Sequence, residues 1–372
     1  MTNHDDPITI VGAGPAGLAC AILLARGGRR VIVHERRSDV GARFHGDYQG
    51  LENWTGGFNA LEELASAGIN PSFRHWPVSH LTAFDPDGET HEMRSDEPFC
   101  YLVRRGPGSD TLDHALLDQA LAAGAEVRFN STMNRLSSPG VLATGPPRGN
   151  IMAVGYQFQT EMAEGQWLAV SDELAPGGYA YLLVRDGHGT VACCMFRAFH
   201  GSNHHLQRTV AFFTNKAGLE MQAPQHISGA GNYGIPCRGE HEGHLLTGEH
   251  AGFQDALAGF GMRTAIRSGV HAAYSLLGGG DYEALWRHSI LPGIRQSISN
   301  RLIYARMGRR GRRALVRRIA AGDTRAGLSR LYRPHLWGRM LYPFAEFSGR
   351  MPQKDPRCCH RICTCVRCRC SH

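Results

Sequence analysis

No apolar run of about 18 residues occurs in this chain, so no segment reads as a membrane-spanning helix. The opening residues, MTNHDDP, are polar and acidic. They lack the basic and apolar regions of a secretory signal, and the first strand-like run starts within ten residues, which points to a cytoplasmic start. Lysine is almost missing: of 40 basic residues only Lys216 and Lys354 are lysine. Coding bias accounts for the arginine preference, but not for where the charge sits. Residues 301–372 hold 18 basic residues against 3 acidic ones, and residues 1–300 hold 22 against 30. Evenly spaced cysteines are also absent. Cys20, Cys100, Cys193, Cys194 and Cys237 are scattered, the pattern of reduced, mostly buried thiols rather than of a disulfide framework. Hydrophobic content of 42% and 372 residues suit one large globular domain or two moderate ones.

Glycine, by contrast, is plentiful and ordered. Ile8–Val11 is a short apolar run of the kind that forms a buried parallel strand. Gly12, Gly14 and Gly17 follow as G-x-G-x-x-G, with Pro15 and Ala16 completing the loop. Helical apolar spacing then runs to Gly27 and Gly28, and a second strand, RVIVHE, ends on Glu35. Each part has a physical role in dinucleotide binding. Gly12 permits the tight turn, Gly14 lets backbone approach a pyrophosphate, and Gly17 allows close helix–strand packing. The helix N-terminus presents unpaired N–H groups to the phosphates. Glu35 lies 21 residues after Gly14, where an acid accepts from ribose hydroxyls. Arg36 and Arg37 fit either a 2′-phosphate or a solvated pair beside an adenosine.

A second glycine-rich stretch, GEHAGFQDALAGFGMRTAIRSG, occupies residues 248–269. It follows the short strand-like HLLTG and opens a helical pattern. Gly248 and Glu249 lie at the strand end, and Gly259, Phe260, Gly261 and Met262 at the helix start. A nicotinamide dinucleotide needs one such loop. FAD, laid across a domain, can use two: one for its pyrophosphate, the other for its ribityl chain and flavin ring.

These loops, with YLVRRGPGSDTLDHALLDQALAAGAEV (residues 101–127) and PGGYAYLLV (residues 176–184), resemble the geranylgeranyl reductase family of FAD-dependent oxidoreductases, in the p-hydroxybenzoate hydroxylase-like superfamily. The resemblance covers roughly residues 8–275. It implies FAD as cofactor and an electron donor such as NAD(P)H or reduced ferredoxin. Several positions depart from the family. Glu249 stands for the family's Asp and Ala256 for its Pro. In the motif P-G-x-Y-x-W-x-F-P, which lines the family's prenyl-binding side, Tyr179 is kept, but Tyr181, Leu183 and Val184 replace Trp, Phe and Pro. The family's Cys-Gly near the flavin appears as His45–Gly46. Where related flavin hydroxylases carry an Asp-Gly, LATGPPRGN (residues 142–150) has no acid, which argues against aromatic hydroxylation.

The resemblance puts Arg104 or Arg105 near the flavin; the bland alternative is a surface arginine paired with Asp110 or Asp113. Tyr179 and Tyr181, two apart on a strand, face one side of a sheet, where they line an apolar pocket or donate a proton. His45 is a candidate flavin neighbour. FHGSNHHLQR (residues 199–208) shows no metal-ligand order and reads as a solvated loop. The basic, aromatic-bearing residues 301–350 read as a membrane-surface or partner-binding helical segment, with nucleic acid ranked lower. Cys358, Cys359, Cys363, Cys365, Cys368 and Cys370 have spacings that suit Zn²⁺ or Cu⁺, or form a flexible oxidation-prone tail.

The expected fold is α/β. A Rossmann-like FAD-binding domain (about 1–69, 111–149 and 236–280) is interleaved with a mostly antiparallel substrate-binding sheet (about 70–110 and 150–235). A C-terminal helical segment (301–350) and a Cys-rich tail (351–372) follow. The expected function is FAD-dependent reduction of carbon–carbon double bonds in an isoprenoid or lipid-like substrate, by a cytoplasmic protein peripheral to the inner face of the membrane. The alternatives are a flavin monooxygenase or dehydrogenase on another hydrophobic small molecule, and a metal-binding electron-transfer flavoprotein that uses the tail.

Overall fold

In the computed structural model, the apolar run Ile8–Val11 is an interior strand of a six-stranded sheet. The structure describes residues 6–348, apart from 134–135, 137–139, 146–148, 235 and 237. Val31–His34 and Gly140–Leu142 flank the first strand in parallel. Glu126–Arg128 and His244–Leu246 extend the parallel set on either side, and Glu240–His241 closes one edge antiparallel. Strands covered on both faces are nearly continuous apolar runs; Ile8–Val11 and Val31–His34 are buried at every position, with Thr9 and His34 their polar members.

Ten helices occur among the described residues: α1 (Pro15–Arg26), α2 (Ala60–Ser66), α3 (Leu112–Ala122), α4 (Ser202–Ala217), α5 (Met262–Leu276), α6 (Tyr282–Ser289), α7 (Leu291–Arg306), α8 (Arg309–Ala320), α9 (Thr324–Tyr332) and α10 (Leu336–Ser348). Helix α1 packs against both α3 and α5. Its approach to α5 is very close: a Cβ on Gly269 would lie 2.1 Å from the Ala16 carbonyl oxygen. Within the first loop, a Cβ on Gly17 would lie 2.0 Å from the Gly12 oxygen, and Gly12 itself has φ +106°. Only glycine fits these three positions.

The second sheet has seven strands, in the order Gln222–Gly231, Ile151–Gln159, His188–Met195, Tyr179–Arg185, Gly165–Ala169, His80–Phe84, Thr90–Arg94. All pairings are antiparallel except that of Gly165–Ala169 with His80–Phe84. Alternation along Tyr179–Arg185 sends Ala180, Leu182 and Val184 into a core shared with Leu206 and Phe213 of α4. Tyr179, Tyr181 and Leu183 turn to the other face. A third sheet pairs Cys100–Arg104 with Tyr48–Glu52 and His75–Val78. It joins residues from both sides of the expected boundary at residue 69. Tyr48 ties it to the seven-stranded sheet, donating its backbone N–H to Thr190 Oγ1 (3.0 Å) and its hydroxyl to the Arg185 carbonyl (3.0 Å).

One expectation needs correction. The histidine-rich stretch 199–208 is not a solvated loop: after a 3-10 turn at Phe199–Gly201 it enters α4, which buries Leu206, Thr209 and Phe213. Those positions have the i, i+3, i+7 spacing of one helix face, and two of them lie beyond the quoted stretch. The basic C-terminal segment is helical, as expected, and it packs on the body. Arg309 and Arg313 pair with Asp87, Arg312 with Asp172 (2.6 Å), and Arg325 with Glu97. Arg301 is buried and donates to the carbonyls of Gly177 (2.6 Å) and Leu257 (3.2 Å). Much of the segment's charge therefore answers acids of the body. The cysteines from Cys358 to Cys370 lie outside the described residues.

Gly269→Ala places a methyl against the Ala16 carbonyl and is expected to cost about 1–3 kcal/mol in urea unfolding. Gly293→Ala in α7, where a Cβ meets open space, is expected to stabilise by about 0.5–1 kcal/mol.

Candidate active site

The C-terminal ends of the parallel strands face the seven-stranded sheet across a cleft of about 410 Å³. Both glycine-rich loops open onto it. At one end Gly12 turns the chain back, and Gly14, Pro15 and Ala16 begin α1 along the cleft wall. A Cβ on Gly14 would meet nothing within 4 Å, so this backbone is bare toward the cleft. Gly17 is absent from the lining; it packs against the Gly12 carbonyl behind the loop. No side chain caps the N-terminus of α1, which leaves first-turn N–H groups for a ligand.

Glu35 stands at the lip of the same end. Its Oε2 accepts from the Ala13 N–H (3.0 Å) and its Oε1 from the Arg37 N–H (3.0 Å). The carboxylate is thereby fixed beside the loop, and Arg36 and Arg37 line the cleft with it.

The second loop supplies the opposite wall. Gly248 (φ +59°) follows the strand, and Glu249 is in the lining. Burial pushes the Glu249 carboxyl upward, opposed by Arg43 and Arg105. A turn then leads to Gly259, Phe260, Gly261 and Met262, all in the lining, at the uncapped N-terminus of α5. Asp255 shapes this turn. Its carboxylate accepts from the N–H groups of Leu257 (3.0 Å), Ala258 (2.7 Å) and Gly259 (3.1 Å).

Arg104 and Arg105 separate cleanly. Arg104 pairs with Asp110 (2.9 Å) away from the lining. Arg105 is 4% exposed, holds Asp113 through two 2.8 Å bonds, and lines the cleft with its guanidinium 4.4 Å from the Phe44 ring. Arg105 thus pairs with Asp113, but buried in the cleft wall and not on the surface. Arg43 approaches the same Phe44 ring (4.6 Å) and reaches Glu249 (3.8 Å). Asp113 was expected only as a surface partner, and Arg43, Phe44 and Asp255 were not singled out from the sequence. Only their closeness to the glycine motifs could have flagged Arg43 and Asp255.

Tyr179 and Tyr181 both line the cleft, with ring centroids 6.1 Å apart. They are not equivalent. The Tyr179 hydroxyl donates to the Ala258 carbonyl (2.8 Å), beside Cys194. No hydrogen-bond partner holds the Tyr181 hydroxyl among the described residues. Burial raises both phenols above the ordinary tyrosine value, and the Asp47 charge adds to the effect on Tyr181. Both stay protonated in neutral water and can donate. His45 is corrected: it is exposed and outside the lining, on a turn whose N–H bonds Asp47 Oδ1 (3.1 Å), while its neighbours Arg43 and Phe44 reach the cleft.

These residues fit FAD. Two uncapped helix N-termini open on one elongated cleft, with bare backbone at Gly14 and a carboxylate behind each loop. Among the described residues, no group of three His, Cys, Asp or Glu is placed to hold a metal ion.

Comparison with known proteins agrees. Residues 10–58 match the model of an NAD(P)-binding Rossmann-like domain. The chain is 23% identical over 360 residues to digeranylgeranylglycerophospholipid reductase of Methanosarcina mazei, covering 78% of this chain and 83% of that protein. Among solved structures it resembles a geranylgeranyl bacteriochlorophyll reductase-like protein of Thermoplasma acidophilum, with a TM-score of 0.70 and 16% identity over 91% of this chain and all of that one. It also resembles the flavin-dependent brominase Bmp2, with a TM-score of 0.64 and 15% identity over 94% of this chain and all of that one. The chain thus has the fold of FAD-dependent oxidoreductases, with sequence relatives named as reductases.

Gly14→Val projects a side chain into the open cleft rather than into protein. It is expected to abolish FAD uptake, read by absorbance after reconstitution, while the melting temperature of the apoprotein stays within about 2 °C of wild type.

Proposed function

We propose that this protein binds FAD along the cleft and saturates carbon–carbon double bonds in an isoprenoid or similar lipid-like chain. The observation that carries this reading is the wall contributed by the seven-stranded sheet. Every charged residue in the cleft comes from segments 35–43, 105–113 and 249, whereas the sheet contributes Leu81, Trp167, Leu168, Leu183 and Cys194, with the uncharged Gln166, Tyr179 and Tyr181. An uncharged chain can lie on that wall without leaving an ion unpaired. The sequence relatives named for reduction of digeranylgeranylglycerophospholipid support the same substrate class.

In this reading, segments 1–69, 111–149 and 236–280 serve the cofactor, and 70–110 and 150–235 the substrate. The first turn of α1 holds the pyrophosphate, and Glu35 a ribose hydroxyl. Arg36 and Arg37 lie beside the adenosine. Glu249 serves the ribityl hydroxyls, while Arg105 and residues 259–262 border the ring. When bound, FAD supplies the hydride chemistry that no side chain of the cleft can provide. Tyr181 gives a proton to the substrate carbon from a phenol that burial keeps protonated. Tyr179, tied to Ala258, shapes the wall. The apolar sheet face excludes water from the reacting carbons.

A lipid-like substrate also calls for a surface to collect it from. Helix α10 exposes Leu336, Met340 and Phe344 at 75%, 63% and 69%, near exposed Arg333 and Arg339. Apolar side chains on one helix face with flanking cations suit an anionic bilayer surface. No helix among the described residues is long and apolar enough to cross a membrane. A contact through this exposed face is a peripheral one.

The test is anaerobic. Photoreduced holoprotein is mixed with a polyprenol under argon, and flavin absorbance is followed alongside product mass. Return of the oxidised bands with gain of two hydrogens per double bond is expected. Reoxidation only when oxygen is admitted, with oxygen or halogen entering the product, would replace this reading with the oxygenase or halogenase chemistry whose fold the protein shares. NAD(P)H and reduced ferredoxin, added in place of light, identify the donor. Tyr181→Phe is expected to slow substrate reduction about 10²-fold with FAD content unchanged. Because burial raises the phenol, the wild-type rate is expected to hold from pH 7 to about 10, where an ordinary tyrosine loses its proton.

A further inference from the structure

The carboxylate of Asp255 has one partner that comes from far along the chain. The Tyr332 hydroxyl, at the end of α9, donates to its Oδ2 at 3.0 Å. The other three donors are the loop's own N–H groups, at Leu257, Ala258 and Gly259. Tyr332 is 6% exposed, and its ring lies 5.8 Å from that of Trp54. Trp54 in turn meets Phe260 of the same loop edge to face at 4.8 Å. Hydroxyl and ring of one side chain thus reach the loop by two routes.

We propose that Tyr332 is a positioning residue, which holds the second glycine-rich loop in its cofactor-receiving shape by fixing Asp255. A carboxylate with only its own loop as partner can rotate with that loop. A fourth donor from a separate helix removes that freedom, because the phenol is anchored by packing elsewhere. The consequence passes both ways along the loop. Toward α5, Gly259 and Phe260 are held where they line the cleft. Toward the sheet, the Ala258 carbonyl is held where Tyr179 donates to it. The basic C-terminal segment, which reads in sequence as a membrane-surface or partner-binding element, thereby supports the cofactor site. The inference rests on the FAD reading only for its consequence; the ordering of the loop belongs to the protein alone.

Tyr332→Phe removes one oxygen and keeps the ring, so the stacking on Trp54 survives. Ser329→Ala is the control. It removes another bond of α9, from Ser329 Oγ to the Trp54 carbonyl (2.8 Å), without touching Asp255. Hydrogen exchange on the full-length apoprotein is read at the amides of Leu257, Ala258 and Gly259, and FAD affinity by fluorescence titration. Tyr332→Phe is expected to speed exchange at those amides about tenfold and to weaken FAD binding about tenfold. Ser329→Ala is expected to do neither. Adding Tyr332→Phe to Asp255→Ala, which removes the acceptor, is expected to give no further change in exchange. Wild-type exchange in Tyr332→Phe, an equal effect of Ser329→Ala, or additive effects with Asp255→Ala would each overturn the proposal. Should wild-type protein fail to bind FAD, the functional reading fails, while the exchange measurement still decides the role of Tyr332.

Discussion

The close approach of α1 and α5 governs the geometry of this protein. Two helices from opposite ends of the chain touch where Gly269 meets the Ala16 carbonyl, at a separation that admits no side chain. Because both helices follow strands of one parallel sheet, their N-termini emerge on the same edge. The sum of two helix dipoles and two sets of unpaired N–H groups is then directed into one cleft. Without that contact the two glycine-rich loops would be separate turns. With it, both loops line one cleft.

Around this contact the charges are sorted by function. Carboxylates and guanidiniums line the loop side of the cleft, and several are paired: Glu35 with two backbone N–H groups, Asp113 with Arg105, Glu249 with Arg43. The sheet side carries none. The separation follows from strand alternation, since the residues that face the cleft from Tyr179–Arg185 alternate with Ala180, Leu182 and Val184 in the core beneath. The polar groups of that wall are uncharged: the tyrosine hydroxyls, the Cys194 thiol and the Gln166 amide. Part of the positive charge of the C-terminal segment is likewise met by the body, because Asp85, Asp87, Asp172 and Glu97 receive Arg309, Arg312, Arg313 and Arg325.

What the sequence determined by itself is local. Strand Ile8–Val11, the turn at Gly12, helix α1 and the acid at Glu35 were legible because their causes lie within a few residues: a β-branched run, a backbone that needs positive φ, a helical apolar period. The two-residue period likewise put Tyr179 and Tyr181 on one face. The tertiary structure alone decided the rest. It separated Arg105 from Arg104, since the choice depends on Asp113 and Phe44 arriving from other elements. It moved His45 out of the cleft and brought Arg43 in. It also closed Tyr332 onto Asp255 across 77 residues. Such pairings depend on how separate elements pack, and no period or spacing along the chain encodes that packing.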